Sequence, residues 1–381
     1  MDDLSPAPEA PPPEGGRRFV PFIFTAVALG LVLSLVVGTL IASRQARNLR
    51  RQEAVSGDHP NFLVVVFDAF RWESFFKNGH PAPLVELSQS DISYKEAYPP
   101  SKDPAASLLA LLTGRSPVCG EKAGVPSLPE ALKSAGYETA VLVGASDVGD
   151  VRRVVPGIDF FAGPGVTGVE LSKLLRGKES LLTSTLLTQQ AERFVEKNFA
   201  KPFFLYVHYA DTRIPYGSKE SAPRAVNFKG TPEEAEKLRA AMRDRPCGLS
   251  PQEQEGARGL YEDALEASGA HLTILRERLS ELGILEKTLI VVTGARGEAL
   301  PQEECAQDAP AAKVPLVVLG PGVAKKTVGP AVSILGLVPT VASLAGAEIS
   351  SDWSGRDLGG CLTSPAACEE AISNPGGDCA P

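Results

Sequence analysis

Short apolar runs alternate with amphipathic segments along most of the chain. Five runs have the length and branched residues of buried strands, and they lie at residues 61–67, 139–144, 203–209, 288–294 and 314–320. The spacing of apolar residues predicts helices at 107–114, 127–137, within 231–282 and at 333–346. Strands that are apolar throughout and flanked by helices are buried on both faces. The pattern therefore predicts an α/β fold with a mostly parallel central sheet.

One longer apolar segment lies near the N-terminus. Residues 19–43 carry no charge and follow Arg17 and Arg18. As a helix this segment would be roughly 37 Å long, enough to cross a hydrocarbon core of about 30 Å. A cleavable signal peptide is the alternative, but its apolar region spans only about 7–15 residues. We therefore predict one transmembrane helix at 19–43.

The predicted membrane helix divides the chain into unequal parts. Residues 1–18 are rich in Pro, Glu and Gly and predict a disordered tail, and residues 44–60 predict a polar, arginine-rich juxtamembrane linker. The folded domain is predicted at 61–360, followed by a cysteine-rich C-terminal tail at 361–381. A single membrane anchor thus precedes a single large domain.

The charge balance limits the classes of ligand. The formal net charge of the chain is −8, and the part after residue 51 has 32 basic and 42 acidic residues, a net charge of −10. Nucleic-acid binding needs clustered Lys and Arg, so it is not expected of this acidic body. The chain has four histidines, and no two of them have the spacing of a zinc pair.

Arginines and cysteines give opposite indications of membrane orientation. Two arginines precede the predicted membrane helix and four follow it, at positions 44, 47, 50 and 51, which places the domain in the cytoplasm by the positive-inside rule. Six cysteines, three of them in the last 21 residues, favour disulfides and an oxidising compartment. We predict the N-terminus inside and the domain outside, with at least one disulfide in the C-terminal tail, between Cys361 and Cys368.

Polar residues follow the predicted strands, where parallel sheets place their ligands. They are Asp68 and Arg71 after the first strand, His208 at the end of the third with Asp211 and Arg213 after it, Arg296 and Glu298 after the fourth, and Ser107 at the start of a helix. Together these residues predict a polar rim at one edge of the sheet. For Asp68 a helix N-cap is the alternative interpretation, because aspartate is common at that position.

Eight segments, in order, resemble the sulfatase family of the alkaline-phosphatase superfamily, particularly its membrane-anchored bacterial members. They are NFLVVVFDAFR (61–71), SLLALLTGRSP (107–117), SLPEALKSAGYETAVLVG (127–144), PFFLYVHYADTRIPY (202–216), LSELGILEKTLIVVTGARGEAL (279–300), KVPLVVLGPGV (313–323), VSILGLVPTVASLAGAE (332–348) and GRDL (355–358). The resemblance implies a three-layer sandwich around a mostly parallel sheet. It also implies a location at the inner (cytoplasmic) membrane, with the domain facing the periplasm or exterior.

The family's chemistry needs a nucleophile and one or two divalent cations held by several carboxylates. Asp68 matches the first metal ligand, but the next residue is Ala69. The position of the family's nucleophile matches Pro104, which has no nucleophilic atom. The family's Ser-Asp-His triplet falls on residues 294–296, which are Gly, Ala and Arg. The resemblance therefore leaves no catalytic residue and only Asp68 as a remnant metal ligand.

These departures favour a membrane-anchored pseudoenzyme that binds an anionic ligand or a partner. We expect it to have no cofactor. The candidate substrate-binding or anion-binding residues are Arg71, Ser107, His208, Asp211, Arg213, Arg296 and Lys313. An anionic small molecule or a glycan fits these residues, and the sequence identifies no protein partner. Arg296 either pairs with Asp68 and replaces the cation's charge, or points to solvent.

Two other interpretations stay open. The first is an active hydrolase of sulfuric or phosphoric esters with an atypical site, which would need Ca²⁺ or Mg²⁺. The second is a transferase of phospho-alcohol head groups, although the threonine nucleophile of that group is also missing here.

Overall fold

The computed structural model describes the chain in several ranges, all of which belong to the unit Glu53–Pro381. The described residues are 59–76, 84, 87, 92–118, 124–144, 150–163, 184–217, 226–298, 300, 301, 305 and 313–363. The predicted tail, the predicted membrane helix at 19–43 and most of the predicted linker lie outside them. Within the ranges described, no helix combines the length and the apolar character needed to cross a membrane. The division of the chain stays a prediction.

A nine-stranded sheet lies at the centre of the domain. Its strands are β1 Asn61–Ala69, β2 Ile92–Tyr98, β3 Glu138–Val143, β4 Phe160–Ala162, β5 Phe203–Tyr209, β6 Thr288–Arg296, β7 Val314–Leu319, β8 Lys326–Val328 and β9 Val332–Ser333. Their order is β4-β3-β5-β1-β6-β7-β2-β8, with β9 paired to β2. All pairs are parallel except the two that β7 makes with β6 and β2. The predicted mostly parallel sheet is confirmed.

Helices cover both faces of this sheet. They are α1 Trp72–Phe76, α2 Pro104–Thr113, α3 Leu128–Ser134, α4 Ser184–Asn198, α5 Pro232–Asp244, α6 Pro251–Glu281, α7 Leu337–Leu344 and α8 Gly359–Thr363. One apolar core contains side chains of α2, α3 and α7, and a second contains side chains of α4, α5 and α6. Two cores separated by one sheet make the predicted three-layer sandwich.

Helix α2 shows how local sequence sets the ends of an element. Asp103 is its N-cap and accepts a hydrogen bond from the Ala105 backbone N–H at 3.0 Å, while Pro104 occupies the first turn. The helix ends at Gly114, whose φ of 73° suits glycine. A Cβ atom at this position would lie 2.3 Å from Cδ1 of Trp353. Both the backbone conformation and the close ring therefore require glycine here.

Side chains of β1 alternate between the two cores. Val64 and Val66 pack in the core of α2, whereas Val65 and Phe67 pack in the core of α6. This alternation is the period of two residues that every strand has. Asp68 therefore points to the α2 side of the sheet.

The register of β1 and β6 determines which residues stand beside Asp68. Phe67 is opposite Gly294 and Ala69 is opposite Arg296, so Asp68 lies beside Ala295. Ala295 belongs to the α2 core, the face to which Asp68 also points. Arg296 alternates to the other face.

Three of the described cysteines bear on the predicted disulfides. Cys247 and Cys305 form a disulfide with Cα atoms 5.6 Å apart. Cys361 is fully buried and disulfide-bonded, and its partner falls outside the described residues. The presence of disulfides is confirmed, while the pairing of Cys361 with Cys368 stays a prediction.

Candidate functional site

Asp68 lies at the carboxyl end of β1 with no exposed surface. Arg213, in the loop after β5, donates from Nε to Oδ1 at 3.1 Å, and its Nη2 is 2.9 Å from Oδ2. His208 Nε2 lies 3.4 Å from Oδ2. Because the guanidinium contacts both carboxylate oxygens, the charge of Asp68 is neutralised inside the protein. Asp68 belongs to a strand and caps no helix, so the N-cap interpretation is wrong.

Tyr206 is buried on the same face of the sheet, two residues before His208. Burial, and next the negative charge of Asp68, raise the pKa of Tyr206 above its usual value. Its hydroxyl has no hydrogen-bond partner among the described residues. The phenol therefore stays protonated at neutral pH and is unsuited to act as a nucleophile.

Arg296 does not pair with Asp68, so the predicted partner is wrong. Its Nη2 lies 3.0 Å from Oε2 of Glu298, and its side chain is only 13% exposed, which also excludes a solvent-directed arginine. The physical reason is strand alternation, since Asp68 and Arg296 point to opposite faces of neighbouring strands. The arginine that takes the predicted role is Arg213.

Glu298 is the centre of a second polar cluster, on the α6 side of the sheet. Its side chain is fully buried, and Tyr216 donates its hydroxyl to Oε1. Burial, and next the charge of Glu298, raise the pKa of Tyr216 well above its usual value. Arg71 donates from Nη1 to the backbone carbonyl of Glu298 at 3.2 Å. Arg71 thus braces the segment that follows β6.

The start of α2 is where the resemblance places the nucleophile. Pro104 is in the first turn, and Ser107 is buried and donates its hydroxyl to the backbone carbonyl of Ser101 at 3.1 Å. Ser101 in turn accepts from the backbone N–H of Asp103 at 3.0 Å. These hydrogen bonds engage the nearby hydroxyl groups and stabilise the loop conformation, and none of them activates a nucleophile.

Asp211 and Lys313 both have internal partners. Asp211 accepts hydrogen bonds from the backbone N–H of Ser184 at 2.9 Å and from its hydroxyl, at the start of α4. Lys313 donates to Glu96, and its Nζ lies 5.5 Å from the ring centroid of Trp72. The hydrogen bond to Glu96 raises the pKa of Lys313 above its usual value. Sequence reasoning missed Glu96, which lies in a strand that it did not predict.

The donors around Asp68 do not fit a divalent cation. The side chains of the neighbours Ala69 and Ala295 have no oxygen to offer, and the nearest charged group is a guanidinium. A Cβ at Gly294 would lie 2.7 Å from Cβ of Phe70, so even a serine there would force a shift. Among the residues described, no three His, Cys, Asp or Glu side chains are placed to hold a metal. Calcium needs six to eight oxygens and magnesium an octahedral shell.

The four predicted cationic residues each lie close to a carboxylate. The pairs are Arg213 with Asp68, Arg296 with Glu298, Lys313 with Glu96, and Arg71 with Glu73 at 3.7 Å. An incoming anion would have to compete with these carboxylates for the same donors. Anion binding stays a prediction, and the charge balance does not favour it.

Comparisons with known proteins agree with this architecture. A sequence profile of the sulfatase family matches residues 60–347. The fold is similar to that of a phosphonate monoester hydrolase from Silicibacter pomeroyi, at 18% identity, 81% of this chain, 78% of that chain and a TM-score of 0.62. It is also similar to a lipoteichoic acid synthase from Listeria monocytogenes, at 16% identity, 76% of this chain, 73% of that chain and a TM-score of 0.56. No curated protein matches the chain in sequence.

Proposed function

This chain belongs to the sulfatase family, and we propose that within the family it is a metal-free, non-catalytic domain that binds a partner protein at a membrane. The observation that supports this most directly is the contact of the Arg213 guanidinium with both carboxylate oxygens of buried Asp68. A family member that binds a cation at this aspartate would have a metal where this chain has a guanidinium.

Electrostatics explains why a cation bound to Asp68 and the contact of Arg213 with Asp68 exclude each other. A divalent cation bound to Asp68 would lie close to the Arg213 guanidinium, whose Nη2 is 2.9 Å from Oδ2. Like charges at such distances inside a protein repel by several kcal/mol, on the order of 4 kcal/mol at 4 Å with an effective dielectric constant of about 20. A full shell of carboxylates normally offsets such repulsion, but Ala295 stands beside Asp68 instead. Arg213 therefore supplies the positive charge permanently.

The nucleophile requirement fails independently. Pro104 has no nucleophilic atom, and the hydroxyl of Ser107 is already bonded to the Ser101 carbonyl. The phenol of Tyr206 is kept protonated by burial. A metal-bound hydroxide is the usual substitute for a missing side-chain nucleophile, and it needs the cation. The same deficits argue against ester hydrolysis and against head-group transfer.

Two features support a position at a membrane, outside the cytoplasm. Residues 19–43 have the length and composition of a membrane anchor. The disulfide between Cys247 and Cys305 is typical of an oxidising compartment. A protein partner is favoured over an anion because Arg213, Arg296 and Lys313 already have carboxylate partners.

The test is a metal analysis together with turnover assays on the full-length chain purified in detergent. We expect no stoichiometric calcium, magnesium, manganese or zinc, and no hydrolysis of aryl sulfates or of phosphate mono- and diesters. The matched control is Asp68→Ala, in which the metal content and the turnover rate should both stay at background. A stoichiometric divalent ion that disappears in Asp68→Ala, together with turnover lost in the same variant, would restore the hydrolase.

A further inference from the structure

An open groove of about 650 Å³ lies between α3 and the loop that follows α7. Residues of α3 and its ends line one wall, and residues 346–351 line the other. Gly346 is close to His59, since a Cβ there would lie 3.1 Å from Cε1 of His59. His59 precedes β1, so the groove lies at the opposite end of that strand from Asp68. The groove is therefore separate from the site described above.

Hydrogen bonds within the chain hold the two walls in place. Trp353, which is 5% exposed, donates its indole N–H to the carbonyl of Pro126 at 2.8 Å and so ties the loop to the start of α3. Ser350 accepts two hydrogen bonds, one from the backbone N–H of Asp352 to its hydroxyl at 3.3 Å and one from that of Trp353 to its carbonyl at 3.2 Å. A preformed groove costs less conformational entropy on binding than a flexible loop does.

The groove combines apolar surface with two carboxylates. Ile349 is 45% exposed on the loop, and Ala131 and Ala135 line the wall of α3. Glu130 and Glu348 project from opposite walls, and neither forms an ion pair with a basic side chain of the described residues. None of the lining residues is Lys or Arg. The carboxylates at the Asp68 end, by contrast, have internal cations.

We propose that this groove binds a basic segment of a partner protein, in which Lys or Arg side chains flank an apolar side chain. Charge complementarity carries the assignment, because Glu130 and Glu348 can pair with cations on either side of a residue that packs on Ile349. The groove would be the place where the partner protein of the proposed function binds. Peptide binding in the groove does not depend on whether the Asp68 site binds metal or turns over substrate, so the groove and the non-catalytic role can fail separately.

The experiment measures binding of fluorescent 12-residue peptides to the full-length chain in detergent by polarisation. The panel carries Leu, Ile or Phe between Lys or Arg residues, and each peptide has a charge-reversed counterpart made with Glu and Asp. We expect basic peptides to bind selectively. The double variant Glu130→Gln/Glu348→Gln should weaken binding about five- to tenfold, as expected for the loss of two surface charge pairs. Ile349→Ser should weaken it separately by loss of apolar contact.

The matched control is Glu233→Gln/Glu277→Gln, which removes the same charge from two exposed glutamates outside the groove. Its affinity for the peptides should equal that of the wild type. Equal weakening in both double variants would show non-specific charge attraction and overturn the proposal. So would a panel in which no basic peptide binds better than its charge-reversed counterpart. Dimerisation that is lost in Glu130→Gln/Glu348→Gln would assign the groove to a second copy of the chain instead.

Discussion

Two buried carboxylates at the same edge of the sheet have different surroundings. Asp68 faces α2 and pairs with Arg213, whose side chain is 24% exposed and comes from a loop. Glu298 faces α6 and contacts Arg296, 13% exposed, and Tyr216, which is fully buried. Asp68 is the residue that the resemblance matches to the family's first metal ligand, whereas the Glu298 cluster braces the segment after β6. Neighbouring positions at one sheet edge thus belong to two clusters on opposite faces of the sheet.

The largest effect is expected from Glu298→Ala. This change leaves the Arg296 guanidinium and the Tyr216 hydroxyl without their shared acceptor in a buried environment. The free energy of unfolding should fall by about 3–5 kcal/mol, as for other broken buried pairs. Urea denaturation followed by circular dichroism measures it. Glu298→Gln is the control, since it keeps an acceptor for Tyr216 and should lose less.

Asp68→Ala should destabilise the domain less, by about 1–3 kcal/mol. The physical reason is that Arg213 is closer to solvent than Arg296 and can turn its guanidinium towards water. The same denaturation experiment provides the comparison. A greater loss for Asp68→Ala than for Glu298→Ala would show that the Asp68 pair, not the Glu298 cluster, braces this edge.

Double-mutant cycles should separate the two clusters. Asp68→Ala combined with Arg213→Ala should show a coupling energy of about 1–3 kcal/mol, because the two side chains contact each other. Asp68→Ala combined with Arg296→Ala should be additive within about 0.5 kcal/mol, because the side chains lie on opposite faces. Coupling of Asp68 to Arg296 as strong as to Arg213 would contradict the assigned partner.

The smallest effect is expected at the partly exposed pair of Lys313 and Glu96. The hydrogen bond from Lys313, and next that from Tyr98, hold the pKa of Glu96 below its usual value of 4.5. Its contribution to stability is therefore present above pH 4.5 and is lost as the pH falls through the lower folded-state pKa. Glu96→Gln should flatten the acid limb of a stability–pH profile measured by thermal unfolding. The difference should shrink in 1 M salt, which distinguishes this pair from the buried ones.

The pattern of apolar residues predicted most of the central sheet correctly. The strands β1, β3, β5, β6 and β7 each contain a run of apolar residues, and each was predicted within two residues at either end. Strand β2 was not predicted because its sequence, ISYKEAY, mixes buried with partly or fully exposed positions and contains two charged residues. It pairs with β7 and carries Glu96, so the partner of Lys313 was missed with it.

Within the site, the sequence determined which chemical groups are present, and the tertiary structure decided which of them meet. The absence of a nucleophile at Pro104 and of ligands at Ala69 and Ala295 follows from residue identity alone. The choice of Arg213 over Arg296 as the partner of Asp68 does not. It depends on the register of β6 against β1 and on the path of the loop after β5. Asp68 and Arg213 are 145 positions apart in the chain and meet there. The period of a strand sends Arg296, on the neighbouring strand β6, to the opposite face.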